Sequence, residues 1–186
     1  LEHADCVVIG DAEGSWQELL KDLEDGKLKR KYISNQERPL ELRTPKWEIF
    51  KGMGYISTNL VEVSRGCIHH CKFCSTSPFY RHHHRRRPIE DIVRDIKKVR
   101  SFPKNLIIFT DDNIICDKEY AKELFRAIKP LKILWGSQAT ADIGEDEELI
   151  RLAAESGCFA FFIGFDSIST TSLKEVDKKH NIIVNY

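Results

Sequence analysis

Three cysteines within eight residues are the side chains whose type and spacing most clearly predict chemistry in this sequence. Cys67, Cys71 and Cys74 are separated by three and then by two residues. In so short a segment all three thiolates can face one point, and thiolates are the usual protein ligands of iron–sulfur clusters. Three ligands leave one iron of a four-iron cluster without a protein ligand. The spacing therefore predicts a cluster with one iron open to a small molecule.

A structural zinc site is the alternative interpretation of these three cysteines. Zinc takes four ligands, and His69, His70 or one of the histidines at 82–84 could supply the fourth. Zinc sites more often combine two closely spaced cysteine pairs, and this sequence has no second pair. The other cysteines, Cys6, Cys116 and Cys158, lie scattered in or beside apolar runs, as buried reduced thiols do. Without a secretory signal, the close spacing of three cysteines indicates metal ligands rather than disulfides.

Alternating strands and helices are the elements that must position the cysteines. Apolar runs predict strands at 59–63, 105–110, 132–136 and 159–165, and amphipathic segments predict helices at 88–100, 118–128, 145–156 and after Ser169. The last three strands begin about 27 residues apart, which is the length of a strand–helix unit. Their apolar character indicates a parallel sheet covered on both faces. The predicted fold class is α/β, a partial (β/α) barrel of parallel strand–helix units, with a doubly wound sheet as the alternative.

The first 57 residues do not follow this repeat. An apolar strand at 4–10 precedes a helix for which Ser15 and Glu18 form a capping-box pair, with Leu19, Leu20 and Leu23 on one apolar face. We expect residues 1–30 to be the end of a separate α/β domain and residues 31–57 to be a linker with one hairpin. Residues 58–186 would be the N-terminal part of the barrel. Because the sequence begins at Leu1 and ends within a patterned segment, we expect a piece of a longer protein.

Composition and charge narrow the class of protein. The 186 residues are 41% hydrophobic, and 29 basic residues balance 29 acidic ones. No apolar run reaches the roughly 18 residues of a membrane helix, so we expect no membrane partner. A neutral chain has no overall attraction for nucleic acid. The Arg- and His-rich run at 80–87 is the exception, and we interpret it as a solvated or site-facing loop, so nucleic acid is not an expected partner.

The cysteine spacing, with aromatic Phe73 before the third cysteine, resembles the signature of the radical S-adenosylmethionine (SAM) superfamily. The resemblance implies a 4Fe–4S cluster on Cys67, Cys71 and Cys74 whose open iron binds SAM. One electron then cleaves SAM to a deoxyadenosyl radical, which takes hydrogen from a substrate. It also implies a SAM pocket at the ends of the predicted strands. The residues after the second strand would bind the amino group of SAM, and those after the fourth would bind its ribose. One further residue near the end of the third strand would reach the same pocket. The residues implied as cofactor-binding are Phe73, Asp111, Asp112, Asn113, Gln138, Asp166 and Ser167.

Several stretches are more closely similar to the cobalamin-binding subgroup of that superfamily. They are Arg65–Cys67, Arg85–Pro88, Asp111–Asn113, Trp135–Gln138 and Ser156–Cys158. The subgroup implies that residues 1–30 are the remnant of a Rossmann-like cobalamin-binding domain and that the outcome is often methyl transfer. The Asp-x-His-x-x-Gly motif that binds cobalamin is absent from these 186 residues, so we expect cobalamin only in a longer protein. Ile68 stands where proline is common, and His69-His70 adds potential ligands.

The resemblance implies an enzyme with a small-molecule substrate and an electron donor such as flavodoxin or ferredoxin. Because such a cluster is oxygen-labile, a reducing, cytoplasmic setting is expected. The substrate and the catalytic residues are not predicted. A tRNA methylthiotransferase-like enzyme is a second interpretation, although the second cluster domain and the RNA-binding tail that it needs are not visible in the sequence. A non-enzymatic, zinc-stabilised interaction module is the third.

Overall fold

The computed structural model describes residues 3–34, 42–50, 53, 59–99 and 106–182. The chain divides into two compact units, Leu1–Leu42 and Arg43–Tyr186. The second unit contains the predicted strand–helix repeat and the three clustered cysteines. In the described residues no helix combines the length and the apolar character needed to cross a membrane.

The first unit contains a small parallel sheet and one helix. Strand β1 (Val7–Ile9) pairs in parallel with β2 (Lys31–Ile33), and α1 (Trp16–Glu24) lies between them in sequence. Strand β2 falls within 31–57, so the expectation of a linker there missed a strand. The described parts of 31–57 contain a 3₁₀ turn at Trp47–Phe50 and no hairpin. Pro39, Gly52 and Gly54 lie outside the described residues.

The start of α1 corrects two predictions. Ser15 is the N-cap residue, but its side chain makes no capping hydrogen bond. A 3₁₀ turn at Ala12–Gly14 precedes it and leaves Ser15 at φ −124° and ψ −8°, outside the extended conformation from which a serine caps a helix. Of the three leucines predicted to form one apolar face, Leu19 is buried, whereas Leu20 and Leu23 are exposed.

The second unit is built on a four-stranded sheet that is parallel throughout. Strands β3 (Leu60–Val61), β6 (Leu106–Phe109), β7 (Leu134–Ala139) and β8 (Cys158–Ile163) lie in that order. Helices follow or precede them in the predicted alternation, as α3 (Ile89–Val99), α4 (Lys118–Ile128), α5 (Glu147–Glu155) and α6 (Thr170–Glu175). Strands β6 and β7 pair in parallel, as the repeat requires. The prediction of an α/β fold with parallel strand–helix units is confirmed.

Local signals in the sequence account for where these helices begin and end. The side chains of Asp117, Asp146 and Ser169 each accept a hydrogen bond from a main-chain N–H of the following helix. Gly157 follows α5 with φ +96°, the left-handed conformation that ends helices. Between the helices and the sheet, the fully buried Trp135 packs against three aromatic rings, those of Phe109, Phe125 and Phe161. The apolar stripes of the helices therefore meet one continuous core on the sheet.

Two further strands form an antiparallel pair outside the main sheet. Strand β4 (Ser64–Arg65) follows β3 almost directly, and β5 (Arg85–Arg86) precedes α3. Ser64 pairs with Arg86 and Arg65 pairs with Arg85. A short helix, α2 (Thr76–Phe79), lies in the segment between them. This pair, called here the clip, joins the two ends of the segment that carries the three cysteines.

Candidate functional site

The cysteine loop, residues 66–84, begins and ends at the clip. Gly66 opens the loop with φ +89°, and a Cβ atom at this position would lie 2.1 Å from the carbonyl oxygen of His83. Only glycine allows the two ends of the loop to approach so closely. The main chain continues the closure beyond the clip, because Arg87 N donates to Val63 O at 3.1 Å. The sheet and the clip thus fix both ends of the loop at the carboxyl end of β3.

A buried ion pair that involves Arg87, the residue after β5, stabilises the clip. The Arg87 and Asp95 side chains are 2% and 1% exposed, and Arg87 Nη2 lies 2.6 Å from Asp95 Oδ2. Arg87 Nη1 also donates to Glu62 O at 2.6 Å. Arg86 pairs with Asp117 at 2.6 Å. The interpretation of the run at 80–87 as a solvated or site-facing loop is wrong at Arg87, which is bound inside the protein.

Asp111, two residues after the end of β6, also holds the start of the cysteine loop. It is 2% exposed; its Oδ2 accepts a hydrogen bond from Val63 N at 2.9 Å and its Oδ1 one from Ser64 Oγ. Burial raises the pKa of the Asp111 carboxyl to about 7, against the lowering effect of these hydrogen bonds. The side chain predicted to bind a ligand ammonium therefore has both oxygens engaged by the segment that leads into the cysteines.

The three cysteines are close enough for Cys67 and Cys74 to influence the pKa of Cys71. Cys67 is buried, and Cys71 and Cys74 are partly buried. Burial raises the pKa of Cys71, the cation of Lys178 opposes this, and Cys74 and Cys67 raise it further. The pKa of Cys67 is lowered to about 6, chiefly by a hydrogen bond from the Cys116 thiol, with smaller contributions from His69 N and Ser77.

Three of the five histidines of the loop take part in ring stacks. The ring of His69 stacks on His180 with centroids 3.7 Å apart, and His70 stacks on His82 at 3.9 Å. Burial lowers the pKa of both His69 and His180, the latter to about 4. In the described part of the chain no three His, Cys, Asp or Glu side chains form a group suited to a single metal ion. The His69–His180 stack joins the cysteine loop to the segment after α6.

Lys178 is the cation of that segment. It is 9% exposed, its Nζ donates to Gly164 O at 2.8 Å, and it forms an ion pair with the Asp166 carboxylate. The same Nζ lies 5.6 Å from the ring centroid of Phe73 in the cysteine loop. A main-chain hydrogen bond from Lys72 N to Val176 O, 2.9 Å long, fixes the contact. Phe73 and Asp166, predicted from two distant motifs, therefore meet through Lys178.

The remaining predicted residues differ in how they relate to the cysteines. Asp112 is exposed beside the loop, where it accepts a hydrogen bond from Thr76 Oγ1 at 3.4 Å and raises the pKa of Cys67. Asn113 is buried; its Oδ1 accepts from Ile115 N and Thr140 Oγ1, and its Nδ2 has no partner among the described residues. Gln138 is exposed on β7, which continues to Ala139, beyond the predicted end at 136. Ser167 Oγ accepts from Ser169 N at 3.0 Å, a local turn contact.

Comparison with known proteins decides the family. Residues 61–183, about two thirds of the chain, match the Radical SAM superfamily. The chain belongs to the radical SAM superfamily. The predicted family is therefore confirmed, and the match favours the radical SAM interpretation of the cysteines over the zinc-stabilised module.

Two curated relatives to which this radical SAM chain is similar are methyltransferases. Bacteriochlorophyllide d C-12(1)-methyltransferase of Chlorobaculum tepidum is 29% identical over 99% of the chain and 42% of its own length. Cytidylyl-2-hydroxyethylphosphonate methyltransferase of Streptomyces wedmorensis is 40% identical over 63% of the chain and 22% of its own length. The chain thus spans less than half the length of these relatives.

A solved structure supports the fold of the radical SAM chain. TsrM from Kitasatospora setae, a radical S-adenosylmethionine methyltransferase solved with cobalamin and a [4Fe-4S] cluster bound, matches with a TM-score of 0.59 at 19% identity. The match covers 66% of this chain and 25% of TsrM. At this level of identity the comparison shows the fold alone.

The donor set of this radical SAM chain fits an iron–sulfur cluster. The three thiols lie on one closed loop, and the pKa of the most buried one, Cys67, is lowered. A four-iron cluster is wider than a single ion, so its thiolate ligands need not converge as closely as the ligands of zinc. The sulfur atoms of such a cluster carry negative charge, and the nearby buried cation of Lys178 would offset it.

Two functional features of the radical SAM chain were not predicted from the sequence. Lys178 lies 12 positions after Asp166, beyond a helix, and a single lysine in a charged segment gives no signal of its own. The contact of Cys116 with Cys67 joins residues 49 positions apart, and an isolated cysteine beside an apolar run usually indicates a buried thiol. Both depend on which segments the parallel sheet brings to one edge.

Proposed function

We propose that this chain is the cluster-binding part of a radical SAM enzyme that cleaves SAM reductively. In this proposal Cys67, Cys71 and Cys74 hold a 4Fe–4S cluster. The observation that carries it is the position of these thiols on one closed loop at the carboxyl end of β3, in a chain of the radical SAM superfamily. When bound, the cluster and SAM supply one-electron chemistry that produces a carbon radical.

The charges around the cysteine loop match the two ends of an amino acid. The methionine part of SAM carries an ammonium and a carboxylate. The exposed Asp112 carboxylate beside Cys67 is suited to bind the ammonium, and the Lys178 ammonium, held by Gly164 and Asp166, is suited to offset negative charge. Asn113 offers a buried Nδ2 donor without a partner among the described residues. Asp111 keeps the loop in position, because both of its oxygens are engaged.

Other predicted site residues have roles that follow from their positions. The Phe73 ring is 58% exposed and stacks near the Lys178 cation, so it can cover one side of a bound ligand. Asp166 has φ +59°, a conformation uncommon outside glycine, and its carboxylate is held by Lys178. Asp166 and Ser167, which follow β8, would bind a ligand hydroxyl such as those of a ribose. Gln138 on β7 is exposed at the same edge of the sheet.

The same proposal includes the larger architecture. The four parallel strands would be the first part of a partial (β/α) barrel at 58–186, and the unit β1–α1–β2 would be what remains of a Rossmann-like domain. The domain limits at 30 and 57 stay predictions. Phe159 and Phe162 on β8 are 55% and 73% exposed, which agrees with a strand that further elements would cover.

Methyl transfer is the reaction outcome that the two relatives named above support. Both relatives named above are methyltransferases, and TsrM was solved with cobalamin. The whole enzyme would therefore use cobalamin, bound by a domain of which residues 1–30 are a part, to methylate a small molecule. It would receive single electrons from a donor such as flavodoxin or ferredoxin. A reducing, cytoplasmic compartment suits an oxygen-labile cluster.

Anaerobic reconstitution with iron and sulfide tests the cluster. We expect the chain to become brown and to hold about four iron atoms, as a single 4Fe–4S cluster requires. Replacing Cys67, Cys71 or Cys74 by Ala should abolish this uptake, whereas Cys6→Ala, a matched change in the first unit, should not. A colourless chain that binds one equivalent of zinc through the same cysteines would contradict the proposal.

SAM binding to the reconstituted chain tests the charge assignment. Asp112→Asn removes the proposed partner of the ammonium and should weaken SAM binding by about tenfold, the effect of about 1.4 kcal/mol. Asp25→Asn, at the exposed end of α1, is the matched control and should leave the affinity unchanged. Equal affinity in the parent and in Asp112→Asn, measured by calorimetry, would show that Asp112 only forms the turn.

A further inference from the structure

The segment after α6, residues 176–181 and called here the bridge, contacts the turn that follows β8. Lys178 Nζ donates to Gly164 O at 2.8 Å, and Asn181 Nδ2 donates to the same oxygen at 2.7 Å. Asn181 Nδ2 also donates to Phe165 O at 3.1 Å. Lys178 and Asn181 are 9% and 0% exposed, so these bonds are largely shielded from water. The bridge therefore fixes two consecutive main-chain carbonyl groups at the start of this turn.

Asp166, the next residue of the turn, has an uncommon backbone conformation. Its φ is +59°, in the left-handed region where the Cβ atom crowds the following carbonyl group. Its carboxylate forms an ion pair with Lys178, and the side chain remains 42% exposed. A Cβ atom at Gly164 would lie 3.3 Å from Lys178 Nζ and 3.5 Å from Asp166 Oδ2, so the glycine leaves room for the ion pair. The bridge thus holds Asp166 through its side chain as well, and a ligand can still reach the carboxylate.

The bridge also contacts the cysteine loop, at residues on both sides of Cys71. Lys72 N donates to Val176 O at 2.9 Å. The ring of His69 stacks on that of His180, with the centroids 3.7 Å apart. One short segment therefore contacts both the loop that carries the thiols and the turn after β8.

We propose that Lys178 and Asn181 are positioning residues, which set the distance between the cluster and the Asp166 carboxylate so that one SAM molecule reaches both. The inference rests on the proposed function. There the amino acid part of SAM lies at the open iron, and its ribose hydroxyls donate to Asp166. Two ends of one ligand are then bound by different segments of the chain. A bridge that fixes the spacing of these segments before binding reduces the ordering that binding would otherwise require.

A comparison of two ligands on the reconstituted chain tests the inference. They are SAM and an analogue of SAM whose ribose lacks both hydroxyls. We expect the parent to bind SAM at least about tenfold more tightly than the analogue, the usual effect of a hydrogen bond to a charged group. Lys178→Met and Asn181→Leu should each lower this preference to below about threefold, because the Asp166 carboxylate is no longer held towards the ribose. Calorimetry of both ligands on one preparation makes the preference independent of the fraction of chains that carry a cluster.

Two further variants show through which group Lys178 acts. Lys179→Met is the matched control, since it removes an exposed ammonium of the bridge that pairs with Asp177, and it should keep the preference of the parent. Asp166→Ala should abolish the preference, and adding Lys178→Met to it should change the preference no further, because Lys178 acts through Asp166.

Three results would overturn the inference. A lysine that only offsets the charge of the cluster would, when replaced, weaken both ligands equally and leave the preference intact. Loss of the cluster in both Lys178→Met and Asn181→Leu would show that the bridge only holds the cysteine loop; if one of them loses the cluster, the other decides. A parent that binds both ligands equally would show that Asp166 does not contact the ribose. A parent chain that takes up no cluster would instead refute the proposed function itself.

Discussion

The buried pair of Arg87 and Asp95 gives the sharpest prediction about stability. Arg87→Met removes the guanidinium but keeps most of the side-chain volume. It leaves the Asp95 carboxylate, 1% exposed, without the partner that lies 2.6 Å away. Breaking a buried ion pair from one side typically costs about 3–5 kcal/mol, since an uncompensated charge remains inside the protein. The hydrogen bond from Arg87 to Glu62 O is lost as well, at about 1 kcal/mol.

Two contacts reduce this cost. Thr44 Oγ1 still donates to Asp95 Oδ1 at 2.7 Å, and the Arg94 Nε lies 3.9 Å from the same oxygen. Arg94 is 55% exposed, so its contribution is screened by solvent. We therefore expect Arg87→Met to lower the free energy of unfolding by about 4 kcal/mol. This is a large part of the roughly 5–15 kcal/mol that stabilises a typical domain.

Urea unfolding of the chain, followed by circular dichroism, measures the effect. The double variant Arg87→Met with Asp95→Leu removes both charges and should recover most of the loss, because an apolar pair can replace a buried ion pair at little cost. Arg94→Met is the matched control, since it breaks the exposed pair with Asp91 and should cost less than about 1 kcal/mol. A loss below about 1 kcal/mol for Arg87→Met, or a double variant as unstable as the sum of the two single variants, would refute the reasoning.

Three further predictions follow from single contacts. The pKa of Asp111 is raised from 3.8 to about 7, so its contribution to stability is full at low pH and is lost as pH rises from about 4 to 7. The free energy of unfolding should therefore fall between pH 4 and pH 8 in the parent chain, and Asp111→Asn should remove up to about 4 kcal/mol of this fall. Urea unfolding at the two pH values measures the difference. Gly66→Ala should destabilise the chain and lower its iron content after reconstitution, because the new Cβ would meet His83 O; Gly26→Ala, also at positive φ but in open space, is the control and should keep the iron. Asp117→Ala should cost about 1 kcal/mol in the same unfolding assay through loss of the α4 cap, beside the exposed pair with Arg86; Arg86→Met, which removes only the pair, is the control, and an unchanged midpoint for Asp117→Ala would contradict the cap.

The repeating part of the fold was predictable because its signals are local. The period of strand–helix units, the cap at Asp117 and the glycine at 157 depend on neighbouring residues, and the structure bears them out. The three-residue strand β2 was missed because so short a segment carries no periodicity. Leu20 and Leu23 of α1 were assigned to an apolar face from spacing alone, which does not say how wide the buried stripe is.

The candidate site was predictable only where a motif fixes it. The cysteine spacing identified the loop, but adjacent residues at the end of a strand point in opposite directions. Sequence therefore could not show that Asp111 turns into the core while Asp112 stays beside the cysteines. Lys178, Arg87 and Cys116 act through partners that are close only after the sheet has formed.

The clip has a consequence for the order in which the cofactor and the fold are assembled. Joining the ends of a 19-residue loop, counted from 66 to 84, costs about 2.6 kcal/mol of chain entropy. The pairing of β4 with β5 and the contacts of Arg87 offset this entropy cost, and both are contacts within the protein. In small zinc domains, by contrast, the metal must bring the ligands together and folding waits for it. Here protein contacts hold the ends of the cysteine loop together, so its closure does not require a bound metal.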